Sequence, residues 1–319
     1  MKIVVLGAGA LGSIVGAHLL RAGHDVTLIA RERRARTLVE RGLVLTGLAE
    51  FALPATVTTD PRTVRNADAL LVTVKTYDTE EALASVRHLD VPTVVSLQNG
   101  VLKNEQLARV FGGERVVGAA ATVAGEIVTD GAVRFTLNDR LALGEVPTGT
   151  SPRVAALVSA LAEAGLRADV SSNIQCVEWS KLALFVSGGA VAALTRLPTG
   201  QFLSDPDGAR LVVQLVQDVG RMASNLAIPL EDAGLLPIET LCRDPLPTAV
   251  ERVQQVGAAI AARAPMHKIS ILQDLERGRR LEIEETLGHV VRQAAALGVP
   301  VPTIDTCYRL LAVVDRRER

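Results

Sequence analysis

Hydrophobic positions fall into two regimes along the chain. Residues 2–6 read as a strand: after Lys2, Ile3-Val4-Val5-Leu6 form an unbroken Ile/Val/Leu run of the kind a strand buried on both faces requires, and the run ends at Gly7-Ala8-Gly9-Ala10-Leu11-Gly12. Residues 13–21 then place Ile14, Val15, Leu19 and Leu20 on one side of a helix that stops at Gly23, and residues 25–30 read as a second strand. Further strands are predicted at 69–74, 93–97, 115–123, 132–137 and 168–171, with helices at 33–41, 80–86, 104–110 and 152–164. Alternating strands and helices predict an α/β fold with an N-terminal Rossmann-type, doubly wound, mostly parallel sheet. From about Asn173 strand signals vanish, and long helical patterns broken at Pro198, Pro229, Pro237, Pro245 and Pro300 predict a C-terminal all-helical domain. The polar break Ser171-Ser172-Asn173 sets the expected domains at 1–172 and 173–319.

Composition narrows the chemistry. With 48% hydrophobic and 22% charged residues the chain is expected to be globular, and a net charge of -1 gives no global field for nucleic acid or an anionic membrane. Three widely spaced cysteines, Cys176, Cys242 and Cys307, fit neither a disulfide framework nor a metal pattern, so no metal is expected and a cytoplasmic setting is. The longest near-apolar run, 182–194, falls short of the ~20 residues that span a bilayer, so no membrane is expected. Only five of the 34 basic residues are lysine: Lys2, Lys75, Lys103, Lys181 and Lys268. Lys2, Lys103 and Lys268 read as surface charge. Oligomeric state is left at monomer or homodimer.

Gly7, Gly9 and Gly12 follow a strand and open a helix, the context in which such a spacing binds a dinucleotide. Gly7 permits the tight turn, Gly9 lets the backbone approach a pyrophosphate, and Gly12 allows close helix-to-strand packing. At the end of the second strand stands Arg31, followed by Glu32, Arg33, Arg34 and Arg36. An arginine there suits the 2′-phosphate of NADP, with Arg33 or Arg34 as a second contact, so the expected cofactor is NADP (NADPH). Glu32 in the first position would instead favour NAD.

Five motifs in order give the chain a family likeness: Gly7 to Gly12; Val74-Lys75-Thr76-Tyr77-Asp78; Ser96-Leu97-Gln98-Asn99-Gly100; Trp179-Ser180-Lys181-Leu182; and Ser270-Ile271-Leu272-Gln273-Asp274 followed by Arg280-Leu281-Glu282-Ile283. The sequence resembles the 2-dehydropantoate 2-reductases (ketopantoate reductases) over nearly its whole length. The resemblance implies NADPH-dependent reduction of a small 2-oxo acid, 2-dehydropantoate to pantoate, a step of pantothenate biosynthesis. By resemblance the cofactor lies on Gly7, Ala8, Gly9, Ala10, Leu11, Gly12, Arg31, Lys75 and Asn99. The catalytic pair is Lys181, the proton donor, with Glu282, and the substrate meets Asn99, Lys181, Phe185 and Ser270.

Physical chemistry supports the lysine. Hydride addition builds negative charge on a carbonyl oxygen, which needs a cation able to release a proton, and a guanidinium stays protonated. Ser270 and Glu282, twelve residues apart, would be separated by about 18 Å of rise and roughly 120° on one straight helix. Both can serve one small substrate only if the helix breaks, and Gly278 is the expected place. The chain also departs from the family. Where the resemblance implies asparagines one and two turns beyond Lys181, this sequence has Phe185 and Gly189. That departure points to an alternative, a paralogue acting on a more apolar carbonyl or imine. A non-catalytic NADP(H)-binding sensor is the third reading.

Overall fold

The computed structural model describes residues 1–232 and 234–317, and the chain divides into two compact units. The first holds Met1–Gln98 and Lys103–Gln175; the second holds Asn99–Leu102 and Cys176–Arg319.

In the first unit β1 (Lys2–Leu6), α1 (Ala10–Arg21) and β2 (Asp25–Ile29) form the βαβ start, with Val4 opposite Thr27 in parallel register. α2 (Glu32–Arg41) follows, then three short strands, β3 (Leu43–Gly47), β4 (Phe51–Leu53) and β5 (Thr56–Thr58). β6 (Ala69–Val72), α3 (Thr79–Val86), β7 (Val94–Ser96) and α4 (Leu102–Phe111) complete a second set of alternating elements. A long hairpin, β8 (Val116–Ile127) and β9 (Val133–Glu145), then α5 (Pro152–Glu163) and β10 (Ala168–Val170), close the unit.

The strand order is β4-β3-β9-β8-β7-β6-β1-β2-β5, with β10 beside β9, and only β3–β4 and β8–β9 pair antiparallel. Alternation along the strands sorts the core onto two faces. Ile3, Val5, Ala69, Leu71 and Val95 pack with Ile14, Val15, Leu157 and Leu161 of α1 and α5. Val4, Leu6, Leu70, Val72 and Val94 pack with Leu83, Val86, Leu107 and Phe111 of α3 and α4. Helices on both faces of a mostly parallel sheet are the doubly wound architecture that the sequence pattern predicts. β2 lies on one side of β1 and β6 on the other, so the strand order reverses there. Ligands of open α/β sheets bind at the carboxyl ends of strands at such a reversal.

Two expectations need correction. β3, β4 and β5 are missing from the sequence pattern: each is five residues or shorter, β3 and β5 carry threonines, and the three are punctuated by Gly47 and Pro54. The hairpin also runs past its predicted ends, because outward polar residues such as Glu126, Asp139 and Arg140 hide its alternation.

The second unit is helical among its described residues: α6 (Ile174–Thr195), α7 (Thr199–Ser204), α8 (Pro206–Asn225), α9 (Ile238–Arg243), α10 (Leu246–Arg263), α11 (Ser270–Glu276), α12 (Leu287–Leu297) and α13 (Pro302–Arg317). α6, whose first two residues belong to the first unit, has Ala183, Val186 and Ala190 to Ala192 fully buried, and Val212, Val216, Val219 and Met222 of α8 join the same core. At 22 residues, with a mean hydropathy of 1.3 over its most apolar 18, α6 is long and apolar enough to cross a membrane, which the shorter run 182–194 within it is not. Of its most apolar window 72% is buried within the molecule, which is the burial of a core helix.

Two buried carboxylates organise the C-terminal part. Asp218 Oδ2 accepts from the Thr303 and Ile304 amides at 2.8 and 3.0 Å, capping the start of α13. Asp315 Oδ1 accepts from the Leu281 amide at 2.7 Å. The stretch 269–297 is not one helix: α11 ends at Glu276, and Gly278 takes φ +61°, a conformation in which glycine carries no steric penalty.

Candidate active site

The glycine turn lies at the carboxyl end of β1. Gly7 has φ +106°, and a Cβ there would stand 2.7 Å from Val74 Cγ1. A Cβ on Gly12 would run into the Gly7 carbonyl, so α1 and β1 approach as closely as backbone allows. A Cβ on Gly9 would meet nothing within 4 Å, so that side of the turn is open. Gly9 caps α1, whose first turn carries no acidic residue. Open space, unpaired first-turn amides and a positive helix end fit a dinucleotide pyrophosphate.

Arg31 directly follows β2 and precedes α2. Its Nη2 lies 2.9 Å from Asp78 Oδ1, with side chains 75% and 23% exposed, and that carboxylate holds the guanidinium above its usual range. Glu32 instead pairs with Arg36 at 3.8 Å on the surface. Lys75 is half-buried just beyond β6, at the start of a 3₁₀ turn, Thr76–Asp78. The loops after β1 and β6 therefore flank the reversal in strand order.

Arg34, with Arg33 one of the two residues expected as a second 2′-phosphate contact, folds onto the glycine turn. Its Nε donates to the Ala8 carbonyl at 3.0 Å, Nη1 to the Gly131 carbonyl at 2.6 Å and Nη2 to Ser13 Oγ at 3.0 Å. Burial pulls its guanidinium below the usual range.

The loops carrying Lys75 and leading to Asn99 are joined by one amide. Gln98 Nε2 donates to the Val74 carbonyl and to Thr79 Oγ1, both at 2.8 Å, while its Oε1 accepts from Ser96 Oγ at 2.7 Å. Lys103, expected on the surface, is 4% exposed and donates to the carbonyls of Gln98 at 3.0 Å and Ala119 at 2.5 Å. No sequence signal pointed to either role; a lysine in the first turn of a helix reads as surface charge.

In the second unit three of the expected residues meet. Lys181 Nζ on α6 donates to Asn99 Oδ1 at 3.2 Å, and Asn99 Nδ2 donates to Glu282 Oε2 at 3.4 Å. Gly100, at φ +83°, brings the Asn99 turn against the Glu285 carbonyl, 3.1 Å from where a Cβ would stand. Glu282 is 6% exposed and Lys181 is half-buried. The Thr286 hydroxyl donates to the Glu282 carbonyl, and Asp315 holds the Leu281 amide just before it. A cation with an exchangeable proton thus shares one asparagine amide with a buried carboxylate.

Ser270 opens α11 and is exposed. Phe185 is half-buried one turn beyond Lys181. Further along α6, a Cβ on Gly188 would lie 3.7 Å from Ile269 Cδ1 and one on Gly189 3.4 Å from Ile271 Cγ2, so the two residues flanking Ser270 pack against the glycines.

The family model described as ketopantoate reductase PanE/ApbA matches residues 3–148, and that of its C-terminal domain matches residues 173–315. The chain belongs to the ketopantoate reductase family. It is thereby an oxidoreductase, in a family of 2-dehydropantoate 2-reductases and related dehydrogenases. A 2-dehydropantoate 2-reductase of Halobacterium salinarum is 30% identical over 321 residues, covering 99% of each chain. The crystal structure of a PanE/ApbA family ketopantoate reductase from Ralstonia eutropha superposes with a TM-score of 0.83 at 30% identity, covering 100% of this chain and 99% of that one. A D-mandelate dehydrogenase solved with NADH and anilino(oxo)acetate reaches a TM-score of 0.85 at 20% identity, covering 100% and 99%, which is a likeness of fold.

Proposed function

We propose that the protein catalyses NADPH-dependent reduction of a 2-oxo acid to the 2-hydroxy acid, with 2-dehydropantoate as substrate and pantoate as product. The observation that carries this reading is the Lys181–Asn99–Glu282 chain of hydrogen bonds, at 3.2 and 3.4 Å. NADPH bound at Gly7 to Gly12 would supply the hydride for the ketone carbon. Lys181 Nζ would then give a proton to the carbonyl oxygen as charge builds there, and Asn99 Oδ1 fixes the direction of the ammonium. Glu282, accepting from Nδ2 of the same amide, holds Asn99 with its Oδ1 turned to the ammonium. Lys75, beyond β6, would face cofactor and substrate carboxylate, and Ser270 would donate or accept at the substrate.

Support for NADP over NAD comes from Arg31. Its partnership with Asp78 is largely exposed, and exposed ion pairs contribute little, so the guanidinium can exchange that carboxylate for a 2′-phosphate at small loss. A second reading of the substrate has its own observation. Phe185, Ile269 and Ile271 make the α6 face beyond Lys181 apolar, with Gly188 and Gly189 beneath the isoleucines, and this favours a more apolar 2-oxo acid. NADPH absorbance followed over a panel of 2-oxo acids tests both. Turnover of 2-dehydropantoate above the rest supports the first; turnover confined to aryl or branched 2-oxo acids replaces the substrate; NADPH binding without turnover of any carbonyl overturns the enzyme reading.

A further inference from the structure

Arg34 sits behind the glycine turn with each of its three nitrogens on a protein oxygen: Nε on the Ala8 carbonyl at 3.0 Å, Nη2 on Ser13 Oγ at 3.0 Å, and Nη1 on the Gly131 carbonyl at 2.6 Å. Ser13, fully buried in α1, donates its hydroxyl to the same Ala8 carbonyl at 3.2 Å. One carbonyl oxygen of the turn is therefore held by two donors, and those donors are hydrogen-bonded to each other.

A trans peptide is planar, with its C=O and N–H pointing in opposite directions. Pinning the Ala8 oxygen toward Arg34 and Ser13 therefore aims the Gly9 N–H the other way. The open side of Gly9, where a Cβ would touch nothing within 4 Å, leaves room for a ligand to approach that backbone. Glycine makes the Ala8–Gly9 peptide easy to rotate, since no Cβ on Gly9 resists the flip. Donation to the carbonyl by a charged group also polarises the peptide and strengthens the N–H as a donor.

We propose that Arg34, with Ser13, is a positioning residue for the dinucleotide pyrophosphate: it locks the Ala8–Gly9 peptide plane with Gly9 N–H presented to the phosphate. The proposal rests on the dinucleotide reading of the glycine turn. It separates the basic cluster into two tasks, Arg31 for what distinguishes NADP from NAD, and Arg34 for what both share.

The test is binding by the full-length protein, read by fluorescence titration with NADPH and, separately, NADH, alongside the melting temperature. Arg34→Met keeps the length of the side chain and removes every donor. It is expected to raise both Kd values by about tenfold, the loss of a charge-assisted contact, with the NADPH-to-NADH affinity ratio unchanged. Arg34→Lys, which retains the charge without the fork, is expected to fall between wild type and Arg34→Met. Ser13→Ala removes one of the two donors to Ala8 and is expected to weaken both dinucleotides by a smaller, equal factor, which keeps the proposal testable if Arg34→Met does not fold. A lowered melting temperature with both Kd values unchanged would reduce the clasp to a structural role and overturn the proposal. Selective loss of NADPH would make Arg34 a 2′-phosphate contact and overturn it too. Wild-type protein that binds neither dinucleotide would remove the reading on which the proposal stands.

Discussion

Lys181 Nζ lies 3.2 Å from Asn99 Oδ1, although the two residues are 82 apart in sequence. The contact is possible because Asn99–Leu102 leaves the sheet unit and packs with the helices. It makes Asn99 the acceptor that aims the ammonium. With Lys181 as proton donor, Lys181→Ala is expected to lower kcat by about 10²–10⁴, the usual worth of a positioned general acid. Lys181→Arg keeps the charge but not a releasable proton, so it is expected to stay near the alanine variant. NADPH affinity, titrated by fluorescence, should be retained in both. Activity within a few-fold of wild type in Lys181→Ala would sink the mechanism.

Arg31 makes a contrasting prediction. Its guanidinium is 75% exposed and pairs with Asp78. Arg31→Ala is expected to raise the Kd for NADPH by about tenfold or more, the scale of a hydrogen bond to a charged group, and to leave NADH nearly unaffected. Equal weakening of the two would take Arg31 away from the 2′-phosphate.

The doubly wound sheet was legible because strands buried on both faces read as continuous apolar runs, as in β1 and β6. The helical second half was legible for the opposite reason, long periodic stretches closed by proline. Local signals fade where elements are short or half-polar, which is why Thr56 and Thr58 gave no strand. Residue-level contacts across sequence distance have no local signature at all. Nothing near Asn99 shows that its amide bridges Lys181 and Glu282, and only the family likeness placed the three together. The fold-back of Arg34 has no local signature for a physical reason too: in a run of arginines, sequence does not say which one turns back onto the glycine turn. The break at Gly278 was foreseen from geometry, since a straight helix could not offer Ser270 and Glu282 to one substrate.

Lys103 carries a prediction about stability. Its buried ammonium donates to the Gln98 and Ala119 carbonyls, tying the end of β7 to β8. Lys103→Met preserves length and leaves both carbonyl oxygens without this donor, which is expected to lower unfolding free energy by about 1–3 kcal/mol. Urea unfolding measures the loss directly. An unchanged midpoint would mean that the ammonium's desolvation offsets its hydrogen bonds.

His18 predicts how stability depends on pH. The ring is 5% exposed, edge-on to Phe51 at 5.6 Å and Phe135 at 5.5 Å between centroids, and its Nδ1 lies 2.7 Å from the Ala164 carbonyl. Nε2 is buried with no hydrogen-bond partner among the described residues. Burial therefore lowers its pKa below the ordinary value of 6.5, outweighing the Ala164 hydrogen bond, and so favours the neutral ring in the folded protein. The unfolded chain takes up a proton as pH falls through about 6.5, whereas the folded chain does so only at lower pH. Between those two values the unfolded state binds more protons, so stability falls with falling pH and is level above the unfolded value. His267, whose pKa burial also lowers, adds a change of the same sign. Melting temperatures are thus expected to drop as pH falls through about 6.5, and His18→Leu is expected to flatten that drop even though it forfeits the bond to Ala164. The slope is the informative quantity, since the variant's absolute stability also reflects lost packing and the lost hydrogen bond. A slope identical to wild type would mean that His18 takes up its proton alike in the folded and unfolded chains, so that burial does not lower its pKa.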